Sequence, residues 1–254
     1  MKLGIIGCGA IGTDVAQAAD HMPEIEKIYL HDSNSIASQK LVKQLKKGQI
    51  RPVKEFVSDV DVVFEAASQQ AVSQYAAVVL EAHKDIVIMS IGSLFDDSLR
   101  VKLENLARKH NRKIYLPSGA VCGIDGVLAA GIDKLDSVTL VTTKPPASLG
   151  KTVDERTIVF RGNAREAVKE FPRNINVAAC LSLAGVGFDE TKVEIVADPV
   201  ETRISHKILA HGKFGRLRAE VENMPNPKNP QSSYMASLSA ISTLRRIIYP
   251  LQII

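Results

Sequence analysis

Tryptophan is absent, and aromatic residues of all kinds make up only 5% of the 254-residue chain. Nucleic-acid binding draws on aromatic stacking platforms set beside a basic stripe. Here the net charge is only +4 and the basic residues are dispersed, so no nucleic-acid partner is expected. Lys40, Lys43 and Lys47 do recur at helical spacing, but Leu41 and Leu45 lie between them. That pattern reads as the solvated surface of a helix. Cysteine is also scarce: Cys8, Cys122 and Cys180 are far apart and form no CxxC pair. Neither a disulfide framework nor a structural zinc site is expected, no metal is expected, and a reducing, cytoplasmic compartment fits. No apolar run approaches the ~20 residues that span a bilayer. The start, Met1-Lys2-Leu3-Gly4-Ile5-Ile6, is too short before its glycines to serve as a signal peptide. No membrane partner is expected.

What is present is an ordinary globular balance, 45% hydrophobic and 24% charged, in a chain long enough for one large or two modest domains. The first half alternates short apolar runs with helix-patterned stretches. Strands are expected at Leu3–Ile6, Ile28–Leu30, Val60–Glu65, Ile86–Ser90 and Lys113–Leu116, with a helix over Ile11–Ala19. Apolar strands interleaved with helices imply a parallel sheet covered on both faces, in the doubly wound arrangement. After Pro117-Ser118-Gly119 the pattern changes. Strands are expected near Val138–Thr143, Ile158–Arg161, Lys192–Ala197, Arg203–Ala210 and Arg216–Glu222, with a helix over Asn174–Ala184. Grouped strands are an α+β signature with a mainly antiparallel or mixed sheet. Three prolines mark Met224–Pro230, and Tyr234–Ile248 returns to helical spacing. The expected organisation is an α/β doubly wound domain over residues 1–119, a smaller α+β domain over 120–230, and a C-terminal helix over 231–254 packing back on the first.

The most informative local feature is Gly7-Cys8-Gly9-Ala10-Ile11-Gly12. A GxGxxG match alone is weak. Here a strand precedes it, a helix follows, and Asp32 stands at the end of the second strand. In a Rossmann nucleotide fold Gly7 would permit the tight turn, Gly9 would let the backbone approach a pyrophosphate, and Gly12 would let the helix sit close to the strand. With Ala10 and Ile11, these residues open a helix whose free N–H groups and partial positive charge suit phosphate. Asp32 would accept hydrogen bonds from the adenosine ribose and repel a 2′-phosphate, favouring NAD over NADP. His31 and the lysines from Lys40 onward keep NADP open. Cys8 reads as a small packing residue. Two further strand ends, Glu65-Ala66-Ala67-Ser68 and Ser90-Ile91-Gly92-Ser93, carry small residues that would let a nicotinamide ribose lie against the backbone; small residues equally suit ordinary strand–helix turns.

Hydride transfer leaves a protein to hold substrate, manage a proton and exclude water. The proton calls for a group titrating near neutrality, usually histidine. His21, His31, His83 and His110 fall on the nucleotide half, where surface roles suffice. His206 and His211, five apart, face opposite ways on a regular strand, which argues against a shared metal. Ile204, His206, Ile208 and Ala210 share one face, so His206 points to an apolar interior. A lone histidine there is as a rule a satisfied core residue, and pattern leaves core and catalytic roles both open.

At this point the chain resembles the L-aspartate dehydrogenases over nearly its whole length. The resemblance rests on the glycine loop, the two small-residue strand ends, Pro117-Ser118-Gly119-Ala120 and Thr143-Lys144-Pro145-Pro146. It continues through Phe171-Pro172-Arg173-Asn174-Ile175-Asn176-Val177-Ala178-Ala179, Asp198-Pro199, His206, Gly212-Lys213-Phe214-Gly215 and Asn226-Pro227-Lys228-Asn229-Pro230-Gln231-Ser232-Ser233. It implies NAD(P)-dependent oxidation of L-aspartate to iminoaspartate, giving oxaloacetate and ammonia, in a homodimer formed through the sheet of the second domain. It also implies that His206 is the active-site histidine and that Ala120 and Asn176 contact the nicotinamide. Delivery of iminoaspartate to NAD biosynthesis and ammonia assimilation into aspartate are both compatible with it. The family often has asparagine two places before the histidine, where this chain has Ile204. For the substrate carboxylates, which need cationic or N–H donors, Lys144 is the first candidate, because the prolines fix its exit from the strand. Asn229 and Ser232 come second, since Asn, Pro and Ser also build ordinary turns. Two other readings remain open: a related two-domain reductase of a semialdehyde or cyclic imine, and an NAD(H)-binding redox sensor without turnover.

Overall fold

A computed structural model of the chain describes residues 1–171 and 176–251. They form two compact units: Met1–Pro117 with the C-terminal stretch from Ser237, and Ser118–Ala236. In the first unit the elements run β1 (Lys2–Ile6), α1 (Ala10–Asp20), β2 (Lys27–His31), α2 (Ser35–Val42), β3 (Gly48–Ile50), α3 (Val53–Phe56), β4 (Val62–Glu65), α4 (Gln69–Glu81), β5 (Asp85–Ile88), α5 (Asp97–His110) and β6 (Ile114–Tyr115). The strands lie in the order β3-β2-β1-β4-β5-β6, and every pairing is parallel. This is the doubly wound order in which the chain reverses direction beside β1, so the loop after β1 opens at the switch point. Leu3, Ile5, Ile28, Leu30 and Phe64 are fully buried, as befits central strands covered on both faces.

Two local expectations change. The lysine-spaced helix ends at Val42 with Lys43 as its C-cap. Lys47 lies beyond it, its backbone N–H donating to Asp20 Oδ1 at 2.8 Å and its ammonium to the Met22 carbonyl at 2.7 Å. Periodicity could not register this stop, because a buried carboxylate from α1 captures the chain. The strand expected to reach Ser90 ends at Ile88, and Ile91–Phe95 form a 3-10 turn.

The second unit runs α6 (Ile124–Ala130), β7 (Leu135–Lys144), β8 (Thr157–Asn163), α7 (Ala164–Glu170), α8 (Asn176–Ala184), β9 (Lys192–Ala197), β10 (Ile204–Gly212), β11 (Gly215–Asn223), β12 (Pro225–Asn226) and β13 (Asn229–Ser233). The main sheet has the order β11-β10-β7-β9-β8. β7 and β9 are parallel and the other neighbours antiparallel, a mixed sheet. Along β10, Ile204, His206, Ile208 and Ala210 are buried while Leu209 and His211 are exposed, the period-two alternation of a sheet covered on one face. The helix expected from Asn174 is described from Asn176; Pro172, Arg173, Asn174 and Ile175 lie outside the described residues. The proline-bearing segment folds into the β12–β13 hairpin, where fully buried Asn226 accepts the Lys228 N–H at 2.7 Å.

The last helix, α9 (Tyr234–Ile248), buries Ser237, Ala240 and Leu244, one face at i, i+3 and i+7. Ala240 and Leu244 join Val15, Ala16, Ala19 and Met22 in the core of the first unit. Among the described residues no helix is long and apolar enough to cross a membrane. Leu244→Ala is expected to destabilise the first unit by about 2–5 kcal/mol, read as a lowered urea midpoint; an unchanged midpoint would mean that α9 is not part of its core.

Candidate active site

The glycine loop takes the form its sequence implies. Gly7 has φ of +100°, and a Cβ there would meet the Ala66 carbonyl oxygen at 2.5 Å. A Cβ on Gly12 would collide with the Gly7 carbonyl oxygen, so α1 approaches β1 only because both positions lack side chains. Gly9 differs: a Cβ there would find no atom within 4 Å. Gly9 is also the N-cap of α1 and makes no side-chain cap. Space over a glycine and an uncapped helix start are what a bound pyrophosphate requires.

Asp32 closes the loop from the next strand. Its Oδ2 accepts the Cys8 N–H at 2.6 Å and its Oδ1 accepts the Asn34 N–H at 2.7 Å. A carboxylate offers about four lone-pair sites, so capacity remains for ribose hydroxyls. Burial, and then the charge of Asp32, push the Cys8 thiol up to about 12, so it stays protonated and packs as a small core residue. His31 bonds through Nε2 to the Tyr75 hydroxyl at 3.1 Å. Burial lowers its pKa, so near neutrality it offers little positive charge to a 2′-phosphate. These residues fit a dinucleotide.

The two small-residue strand ends have another organiser, Glu65, which pattern reading passed over. Glu65 is fully buried. Its Oε1 accepts the Ala67 and Ser68 N–H groups at 2.8 and 2.9 Å and the Ser90 hydroxyl at 2.9 Å, while Oε2 accepts the Ser90 N–H at 3.0 Å. Burial still raises its pKa against these donors. The backbone donors of the turn therefore face inward: Ala66 donates to the Ile6 carbonyl at 2.8 Å, and the Ser68 hydroxyl caps α4 through the Ala71 N–H at 3.2 Å. What Ala66 and Ala67 present outward is methyl surface. An acidic residue ending a central apolar strand was the available signal.

In the second unit one sheet face gathers polar groups. His206 and Thr142 are directly paired across β10 and β7, and His206 Nδ1 lies 2.9 Å from Thr142 Oγ1. Lys144 ends β7 two residues beyond Thr142, on the same face, and is 5% exposed. It is therefore not a solvent-exposed strand-end lysine, and burial lowers its amine to about 8. Burial first, then the Lys144 charge, push His206 down to about 3. The imidazole is thus neutral near neutrality, and the lysine is largely an ammonium.

Asn223, which pattern reading also missed, pairs with Ile204 at the end of β11. It is 2% exposed and donates from Nδ2 to the Ala120 carbonyl at 3.0 Å, anchoring the turn that carries Ala120. Its Oδ1 has no hydrogen-bond partner among the described residues. Asn176 opens α8 and is exposed. Asn229 and Ser232 lie together in β13, where the Ser232 hydroxyl donates to the Asn229 carbonyl at 3.0 Å.

Comparison with known proteins finds both parts. Residues 125–247 match the family model described as aspartate dehydrogenase, C-terminal, and residues 7–117 match the homoserine dehydrogenase NAD binding domain. The L-aspartate dehydrogenase of Methanosarcina barkeri is 44% identical over 268 residues, covering 100% of this chain and 99% of that one. That of Methanothermobacter thermautotrophicus is 40% identical over 248 residues, covering 97% and 96%. Among solved structures, the aspartate dehydrogenase from Thermotoga maritima superposes with a TM-score of 0.81 at 32% identity, covering 100% and 99%.

Gly9→Ala and Gly12→Ala separate the loop's two roles. Gly9→Ala is expected to cost under about 1 kcal/mol of stability yet weaken dinucleotide binding at least tenfold (~1.4 kcal/mol), measured by NADH fluorescence titration. Gly12→Ala is expected to lower stability itself by at least about 1–3 kcal/mol. Wild-type NADH affinity in Gly9→Ala would show that the loop cradles no pyrophosphate.

Proposed function

The chain belongs to the L-aspartate dehydrogenase family, and from that premise we propose that it oxidises L-aspartate to iminoaspartate with NAD(P)+, water then giving oxaloacetate and ammonia. The observation that carries the reading at the level of residues is the buried Lys144–Thr142–His206 face. When bound, the nicotinamide supplies the acceptor for a hydride. Gly7, Gly9, Ala10, Ile11 and Gly12 hold the pyrophosphate, and Asp32 takes the adenosine ribose, favouring NAD over NADP. In the first unit Ala66, Ala67 and Ser68 suit the cofactor's ribose by their small size; in the second, Ala120 and Asn176 stand where the family resemblance implies contact with the nicotinamide.

Lys144 receives one substrate carboxylate. In a low-dielectric setting an ammonium–carboxylate pair is stronger than in water, and only a substrate bearing that carboxylate gains it. Asn229 and Ser232 are secondary contacts for the other carboxylate. The α-amine must be neutral when the hydride leaves Cα, because its lone pair forms the new C=N bond. Water then attacks that carbon and needs a proton acceptor. His206 takes the proton, from the amine or from the water. A carboxylate against Lys144 offsets the charge that depresses His206, and so raises its basicity when substrate is present. A positioned base typically contributes ~10²–10⁴-fold. A cytoplasmic homodimer through the sheet of the second unit completes the reading; the face of β10 opposite His206 supports it, with Leu209 39% exposed.

The primary test is a spectrophotometric panel. NADH formation is expected from L-aspartate but not from L-glutamate, L-alanine or malate; binding of NADH with no turnover of any substrate would favour a sensor. His206→Ala is expected to lower kcat by ~10²–10⁴-fold with NADH affinity unchanged, and retained turnover would remove His206 from the mechanism. The Lys144 ammonium exists below its pKa of about 8 and is lost above it. The inhibition constant of succinate, which has both carboxylates and no amine, should therefore rise roughly tenfold per pH unit above that point. A Lys144→Met variant should show weak, pH-independent inhibition, and a flat wild-type profile would sink the carboxylate role.

A further inference from the structure

The hydroxyl beside His206 does more than fill a strand position. Along β7, Val138 and Leu140 are buried on the face that Thr142 continues. Valine has the shape of threonine and equal liking for a strand, so packing alone does not call for an oxygen there. The oxygen lies 2.9 Å from His206 Nδ1, and the direct pairing of His206 with Thr142 fixes the approach. His206 is 4% exposed and Thr142 6% exposed, so water offers little competition for the bond.

Two arrangements satisfy that distance, and they give opposite chemistry. If the hydroxyl donates to Nδ1, the hydrogen of neutral imidazole sits on Nε2, and the ring offers a donor where a base is needed. If the hydroxyl oxygen accepts from Nδ1–H, Nε2 keeps its lone pair. When Nε2 takes a proton, the imidazolium carries N–H on both nitrogens, and only an acceptor can face Nδ1 throughout. Donation by Thr142 would force the hydroxyl to turn at each turnover; acceptance needs no rearrangement.

We propose that Thr142 is a positioning residue, whose hydroxyl oxygen accepts the His206 Nδ1–H and holds the ring in the tautomer that leaves Nε2 free to take the proton. The inference rests on the reading of His206 as the base. Thr142 touches neither substrate nor cofactor and acts through the ring.

Three measurements test it. In wild-type protein with 15N-labelled histidine, assigned by loss of the signal in His206→Ala, the His206 resonances should report a protonated Nδ1 and an unprotonated Nε2. A dominant Nε2–H tautomer would overturn the proposal without any variant. Thr142→Val should lower kcat by ~10–100-fold, by analogy with the loss seen when a partner that orients a metal-bound histidine is removed. The KM for NAD should be unchanged, and the tautomer signature should become mixed. Thr142→Ser, which keeps the oxygen, should recover most of kcat; a merely structural role would instead alter the fraction of folded protein and leave kcat per folded enzyme unchanged. If Thr142→Val turns over at the wild-type rate while His206→Ala is inactive, the positioning role fails and the base survives. If His206→Ala is active, both fall.

Discussion

A polar group taken out of water must be solvated by the chain itself, and each sheet carries a group under that constraint. An unpaired buried amide or hydroxyl costs ~1–3 kcal/mol, and a buried charge more. In the first unit the group is Glu65, a carboxylate with no exposed surface. Four hydrogen bonds from Ala67, Ser68 and Ser90 answer it. The turns after β4 and β5 are thereby tied together, and their shape follows from the need to deliver those N–H groups inward. In the second unit the group is His206, and Thr142 answers it from the neighbouring strand.

The same constraint governs ionisation. Burial is the first cause of the low His206 pKa, and the Lys144 charge the second; burial alone brings Lys144 down. Neither group has the affinity for protons it would have in water, and each is sensitive to a charge brought close. A dicarboxylate is such a charge. The face thus couples recognition to basicity: the anion that Lys144 attracts also offsets the second of the two causes that hold His206 neutral. Asn223 extends the polar face by one strand. Ile204 stands where the family often has asparagine, and Asn223 pairs directly with it while holding the Ala120 carbonyl.

Much of the architecture was legible because its signals are local. Strand–glycine–helix spacing is contiguous in the chain, and a parallel, doubly wound sheet follows from apolar strands alternating with helices. The phase of β10 could be read from Ile204, His206, Ile208 and Ala210, since side chains alternate with a period of two. Reading failed where a distant partner decided the matter. The lysine-spaced helix stops at Val42 because Asp20 receives the Lys46 and Lys47 N–H groups. The strand ends at 66–68 and 90 could be read as small-residue turns, but not that most of their donors serve Glu65. Lys144 could be placed at a strand end, but its burial could not.

By itself the sequence determined the nucleotide loop, the acidic residue that closes it, the class of each domain and the inward phase of His206, all properties of short stretches. Only the tertiary structure decided which groups meet. Thr142 and His206 are 64 residues apart, Ala120 and Asn223 are 103 apart, and a one-residue change of register between β7 and β10 would separate the first pair. Register comes from how whole strands dock, and the period-two pattern that reveals a face is the same at every register that preserves it.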